Sequence, residues 1–242
     1  MKLLSSSFVL SVTLSLLTSC EGTAQLPDFN NPIGGPSSQI ITQSDMVDGL
    51  KEALNVGIQN AVTEASKTNG FLNDSKLRIP FPPEATKVEN KMRQLGLSTQ
   101  ADQFVETLNA AASEASKKAA PIFVDAITRM TIQDAQGILT SDNHEAATEY
   151  LEQQTRSQLY NAFKPDVHEA IESVGVTSAW EPIVTKYNAL PLTEDVNPDL
   201  DDYVTQKTLD GLFLLVAQEE KKIRENPEAR VTDLLKKVFG NI

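Results

Sequence analysis

From Ser44 onward, apolar residues recur at steps of three and four. Val47, Leu50, Leu54, Gly57/Ile58, Ala61 and Ala65 share one helical face. Asn69-Gly70 closes that helix. Pro83 at a first helical position, followed by Glu84, opens a second helix that Gly96 ends. Ser98 or Thr99, with Asp102, starts a third, with Phe104, Leu108, Ala111, Ala112 and Ala115 along one side. Pro121 kinks or restarts it. Thr131-Ile132-Gln133-Asp134 has the form of a capping box, with Asp in place of Glu. A helix from near Asn143 runs to Phe163, and Pro165 starts another that stops at Gly175. Thr177 or Ser178 opens the helix that holds Trp180 and Tyr187. Asn197-Pro198 opens a further helix. Its middle, Leu209 to Ala217, is apolar nearly all round and belongs at the centre of a bundle. Its last turns, Glu219 to Arg224, are expected to be solvated, and Asn226-Pro227 with Thr232 starts a final helix that ends at Gly240. Only Lys76 to Phe81 alternates apolar and polar residues at strand spacing. Pro80 limits it to a short edge piece, for which Leu190 to Thr193 is the candidate partner. The expected fold is therefore all-α: one multi-helix, bundle-like domain over 44–242, with at most a tiny β piece near 76–81.

The N-terminus follows a different pattern. Lys2 is the only charge before an apolar stretch, Leu3 to Leu17, that is too short to span a bilayer. A charged start, a short apolar core and small residues before a break describe a signal peptide. The break, Leu17-Thr18-Ser19-Cys20, resembles the lipobox of bacterial lipoproteins, in which the Cys is acylated and becomes the first mature residue. Residues 1–19 are thus read as a lipoprotein signal peptide and Cys20 as the lipidation site, with palmitate among the acyl chains. Several acyl chains hold a protein almost permanently, at about 0.8 kcal/mol per buried CH₂. Glu21 is not the Asp that retains such proteins in the inner membrane. The expected address is therefore the outer membrane, facing the periplasm. Residues 20–43, with Gly22, Pro27, Pro32, Gly34, Gly35 and Pro36, read as a flexible tether. Such a tether reaches ~80 Å extended and ~25 Å on average as a coil.

Charge changes the picture in one respect. The chain has 242 residues, with 33 Asp+Glu against 21 Lys+Arg, for a net charge of −12. Phosphate recognition needs clustered Lys and Arg, so nucleic acid is not an expected partner. The acidic body is expected to hang from its lipid rather than lie on an anionic surface. One Cys excludes an intramolecular disulfide framework and a Cys-based zinc site.

The chemistry-bearing motifs are incomplete. His144 and His168 open HEAAT and HEAIE, but the second zinc-binding His would have to stand at Thr148 and Glu172. The di-iron spacing fails at Ser141 and Pro165. No nucleophile elbow and no phosphate-cradling glycine motif is present, so neither a metal nor a cofactor is expected. The carboxylate pairs Asp201-Asp202 and Glu219-Glu220 read as solvated helix faces. Two candidate binding features remain. The loop Phe71 to Pro82 places Phe71, Ile79 and Phe81 around Arg78, either as a cover for the bundle or as an exposed apolar strip. Asp125 and Arg129 form an i,i+4 pair at the rim of an apolar run.

Five blocks carry a wider likeness: Ala53 to Val62, Gly70 to Glu84, Pro121 to Leu139, Lys207 to Phe213 and Asn226 to Gly240. They resemble the bacterial family catalogued as domain of unknown function 4197, over nearly all of 44–242. The resemblance implies an exported, often lipid-anchored protein of Gram-negative bacteria. It implies no activity and supplies no catalytic residue to carry over.

Three functions follow, in order of expectation. The first is a non-enzymatic binding or scaffold protein of the cell envelope, held to the membrane by its lipid and meeting an envelope partner through an exposed apolar strip at 71–82. The second is a carrier of a lipid or another hydrophobic ligand, which needs an enclosed apolar cavity of several hundred Å³. The third is an enzyme with two inward carboxylates in one cleft.

Overall fold

The computed structural model describes residues 42–173 and 199–226, together with positions 185, 188, 189, 229, 232, 233 and 236. The signal segment, most of the tether, the helix expected around Trp180, the partner stretch Leu190 to Thr193 and nearly all of the final helix lie outside the described residues. Among the described residues every regular element is helical.

Helix α1, Gln43–Ala65, begins at a capping box. The Thr42 hydroxyl accepts from the Asp45 N–H at 3.1 Å, and the Asp45 carboxylate accepts from the Thr42 N–H at 2.9 Å. It buries Val47, Leu50, Leu54, Ile58, Ala61 and Ala65, the face read from the sequence. A single turn, α2 (Gly70–Asn73), follows, then an irregular loop and a 3₁₀ turn over Pro83–Ala85. Helix α3, Thr86–Gln94, is joined to α4, Ser98–Ser116, by a tight connection in which Gly96 takes φ of +81°, a conformation that favours a residue without a Cβ. Pro121 restarts the chain: it lies in the first turn of α5, Ala119–Arg129, where its missing N–H costs no helical bond. The Thr131–Asp134 capping box forms as expected at the start of α6, Ile132–Leu139.

Two expectations fail over the following helices. Pro165 does not start a new helix; it sits inside a continuous α7, Ala146–Ser173. Its ring removes the N–H that would bond to the Asn161 carbonyl, at a cost of about 3 kcal/mol. Beyond it, Val167 and Ile171 are fully buried and keep the four-residue spacing of Leu159 and Phe163. Burial of two such side chains returns about 3–6 kcal/mol, which equals or exceeds the cost of continuing through the proline. The last turns of α8, Leu200–Glu225, are not fully solvated either. Glu220 is buried and the Arg224 side chain is 14% exposed, for reasons given below.

Helix α8 is the central element and packs against α1, α4 and α7. Its cap is Asp199, whose carboxylate accepts from the Asp202 N–H at 2.8 Å. Leu209, Leu212, Phe213, Leu215 and Val216 are buried, as the apolar run predicts, while Leu214 points out. Helix α4, whose Ala111, Ala112 and Ala115 are buried, packs on α7, and Phe123 of α5 meets Phe213 of α8 edge to face at 5.7 Å. No helix among the described residues is long and apolar enough to cross a membrane.

Candidate functional site

The loop between α2 and the 3₁₀ turn alternates as the sequence suggests, yet it pairs with no strand. Leu77, Ile79 and Phe81 point inward and are buried; Lys76, Arg78 and Pro80 point outward and are exposed. The backbone partner that an edge strand requires is supplied by one side chain. Asn109 of α4 is fully buried, and its Oδ1 accepts from the Ile79 N–H at 2.8 Å. Its Nδ2 donates to the Ile79 carbonyl at 2.8 Å and to the Val105 carbonyl at 2.7 Å. One carboxamide thus satisfies both backbone groups of Ile79, as a neighbouring strand would. The Asp74 carbonyl accepts from the Arg78 N–H at 2.8 Å, and Tyr203 donates to the Pro80 carbonyl at 3.3 Å. Phe81 stacks on Phe104 at 4.3 Å between ring centroids.

Phe71 enters the core through a gap that α8 leaves for it. A Cβ on Gly211 would stand 2.7 Å from Phe71 Cε1 and 3.5 Å from Leu77 Cδ2, so only glycine fits there. Phe71 is fully buried, and its N–H donates to the Ser113 hydroxyl at 3.4 Å.

The expected exposed strip at 71–82 is therefore absent. Phe71, Leu77, Ile79 and Phe81 are buried and Leu72 is half-buried, because sealing them against α4 and α8 removes more apolar surface from water than any solvent-facing arrangement. The charged side chains that the loop offers to solvent are Lys76 and Arg78, with Ser75 and Pro80 beside them. Asp125 and Arg129 form the expected ion pair, at 2.9 Å, with both side chains more than half exposed. They lie on α5, which packs on α1 and α7, whereas the loop packs on α4 and α8. An exposed pair of this kind is worth a few tenths of a kcal/mol.

Two polar arrangements escape sequence reading. The first joins α7 to the start of α8. Tyr160, Lys164 and His168 stand at four-residue intervals on α7. Tyr160 donates to Asp202 at 2.7 Å, Lys164 to Asp199 at 2.7 Å, and His168 Nδ1 lies 2.6 Å from Asp201. The hydrogen bond to Asp201 raises the His168 pKa, with Glu172 at 3.4 Å adding to it. The bond to Asp199 raises that of Lys164, and the bond to Asp202 raises that of Tyr160. Burial pushes the Asp199 carboxyl up, but Lys164 and the capped N–H hold it below its usual value. Asp201 and Asp202 are thus tied to α7 rather than solvated.

The second arrangement is Glu220. Its carboxylate reaches from α8 to the start of α7 and accepts from the N–H groups of Ala147 and Thr148, at 3.1 and 2.8 Å. The Thr148 hydroxyl donates to it at 2.8 Å, and Arg224 closes the other side at 2.8 Å while also donating to the Ile138 carbonyl at 3.3 Å. A helix start needs an acceptor for its first N–H groups and favours negative charge; here a second helix supplies both. The signal available in the sequence was HEAAT itself, in which α7 opens without a Ser, Thr, Asp or Asn placed to cap Ala147 and Thr148. The partner, more than seventy positions away, has no local signature.

Among the described residues no three His, Cys, Asp or Glu side chains are grouped to hold a metal. His144 is exposed, and Thr148, the position a second zinc ligand would need, is engaged with Glu220. A cavity of about 20 Å³ lies beneath Glu220 among Leu50, Leu54, Ile58, Val216 and Ile223, room for about one water molecule. A larger cleft of about 630 Å³ between α1 and α8 is open to solvent and edged by Asn60, Glu64, Lys67, Glu219 and Lys222. Neither is the enclosed apolar chamber that a hydrophobic carrier needs.

Comparison with known proteins adds one relationship. No curated protein and no solved structure matches the chain. The family described as protein of unknown function (DUF4197) matches residues 40–240, which takes in every described helix. The chain belongs to that family.

Proposed function

We propose that this protein is a lipid-anchored, non-enzymatic binding or scaffold protein of the cell envelope. Residues 1–19 act as its signal peptide, Cys20 carries its acyl chains, and the outer membrane is its address. The position of Cys20 after a short apolar segment supports the anchor. The observation that carries the binding role is the Asn109 clamp. A buried amide is committed to fixing the backbone at Ile79, which holds Lys76 and Arg78 outward on a rigid loop. The interior carboxylate fits this reading as well, since Glu220 spends its lone pairs on a helix start and on Arg224. The test is crosslinking in intact envelopes followed by recovery of the protein, with wild type and with Lys76→Ala plus Arg78→Ala. Loss of specific crosslinked partners in the double variant is expected. Identical partners from both would remove the loop from the function.

A further inference from the structure

The cations of this chain are not paired evenly. Arg93, Arg129, Arg156 and Arg224 each hold a carboxylate, and Lys67, Lys117, Lys118, Lys164, Lys207, Lys221 and Lys222 do the same. Lys51 bonds to the Thr128 carbonyl. Among the described residues, the side chains of Lys76, Arg78, Lys87 and Lys91 have neither a hydrogen bond nor an ion pair, and all four are exposed. They fall within sixteen consecutive positions. In a chain of net charge −12, residues 76–93 hold five basic and two acidic side chains, a local +3 that Asp102, the partner of Arg93, reduces to +2.

The fold lays this segment along one helix. Ile79 is bonded to Asn109, Phe81 stacks on Phe104 and Arg93 bonds to Asp102 at 2.9 Å, so the chain runs antiparallel to α4. Asn109 to Asp102 is about 10 Å of helix. The loop that carries Lys76 and Arg78 and the helix that carries Lys87 and Lys91, one turn apart, both flank α4, and that flank is the edge on which the free cations lie. That edge ends in an apolar tip. Leu95 and Leu97 flank Gly96 and are 64% and 39% exposed, and the tip is held by Leu97 N–H donating to the Met92 carbonyl at 2.9 Å. Cations beside protruding aliphatic side chains fit the boundary between anionic head groups and acyl chains. The acidic remainder of the body does not cancel this, because charges more than about 8 Å from the surface are largely screened at physiological salt.

We propose that the 76–97 edge docks on an anionic lipid surface, with Lys76, Arg78, Lys87 and Lys91 on the head-group phosphates and Leu95 and Leu97 at the acyl boundary. The proposal rests on the envelope reading for the nearness of a bilayer, and it makes lipid phosphate rather than a protein the occupant of Lys76 and Arg78; protein partners lost on crosslinking with no protection by anionic vesicles would overturn it. It replaces a body that hangs free of the membrane with one that is oriented on it.

The test is hydrogen exchange of the full chain with vesicles of phosphatidylcholine alone and of phosphatidylcholine with one quarter phosphatidylglycerol. Exchange across 76–97 is expected to slow at least threefold with the anionic vesicles relative to the neutral ones. The difference should vanish in 0.5 M salt and in the variant Lys76→Glu, Arg78→Glu, Lys87→Glu, Lys91→Glu. These side chains make no contact that folding needs, and an unchanged thermal melt verifies that the variant is folded. Equal protection on both vesicles, protection that survives the four reversals, or concentration-dependent protection without vesicles would each overturn the proposal, the last in favour of self-association. Acylation of Cys20 is read separately by palmitate incorporation, so failure here leaves the anchor standing.

Discussion

Replacing Asn109 by Ala removes the clamp on the loop and leaves the rest of α4 intact. Three hydrogen bonds are lost, but only two backbone groups are orphaned, because the Val105 carbonyl keeps its place in the helical ladder. Ile79 is 1% exposed, so water cannot replace the amide without opening the loop. An unsatisfied buried backbone group costs about 1–3 kcal/mol, and Ile79 would carry two. Ala is a better helix former than Asn by about 0.5 kcal/mol, which offsets a little of that loss. The net expectation is a loss of about 1.5–5.5 kcal/mol. For a domain of this size that lowers Tm by about 3–22 °C. Calorimetry measures the global effect, and hydrogen exchange at the Ile79 amide measures the local one. Exchange there should rise far more than in α8. A Tm within about 2 °C of wild type with the Ile79 amide still protected would refute the claim that this side chain holds the loop.

Gly211→Ala should destabilise by about 1–3 kcal/mol despite the better helix propensity, because its Cβ meets Phe71 at 2.7 Å. A chemical-denaturation cycle with Phe71→Leu should recover part of that loss, and additive effects would contradict the contact. Glu220→Ala should cost about 3–5 kcal/mol, since it uncaps α7 and takes the carboxylate from the nearly buried Arg224; a loss under 1 kcal/mol in urea melts would show that the cap is idle. His168 gains a carboxylate partner on folding, which raises its pKa above 6.5. Its contribution is therefore full at pH values below the unfolded pKa and is lost as pH rises through the folded one. Melts from pH 5 to 9 should show a decline above pH 6.5 that His168→Gln removes, and identical profiles would count against the Asp201 bond.

The two histidine motifs show where sequence reading ends. Periodicity and punctuation found α1, the restart at Pro121 and the capping box at Thr131, because those signals lie within a few residues of one another. The run from Leu209 to Ala217 was legible as central because only a core position tolerates so little polarity. Pro165 was misread because the burial of Val167 and Ile171, which equals or outweighs its cost, depends on partners in other helices. Asn109 and Glu220 were invisible for the same reason. Each is a polar residue whose value comes from a backbone group 30 or more positions away. Alternation at 76–81 was real, but the sequence could not say that a side chain would complete it. Burial then took Phe71, Ile79 and Phe81 out of the candidate surface and left Arg78 in it.

The acyl anchor at Cys20 is the central claim. Growth with labelled palmitate, followed by fractionation of wild type and Cys20→Ser, tests it in one experiment. Label in the wild-type band only, with the variant released to the soluble periplasmic fraction, is the expected result. An unlabelled wild type, or a variant that still sediments with membranes after a high-salt wash, would contradict it.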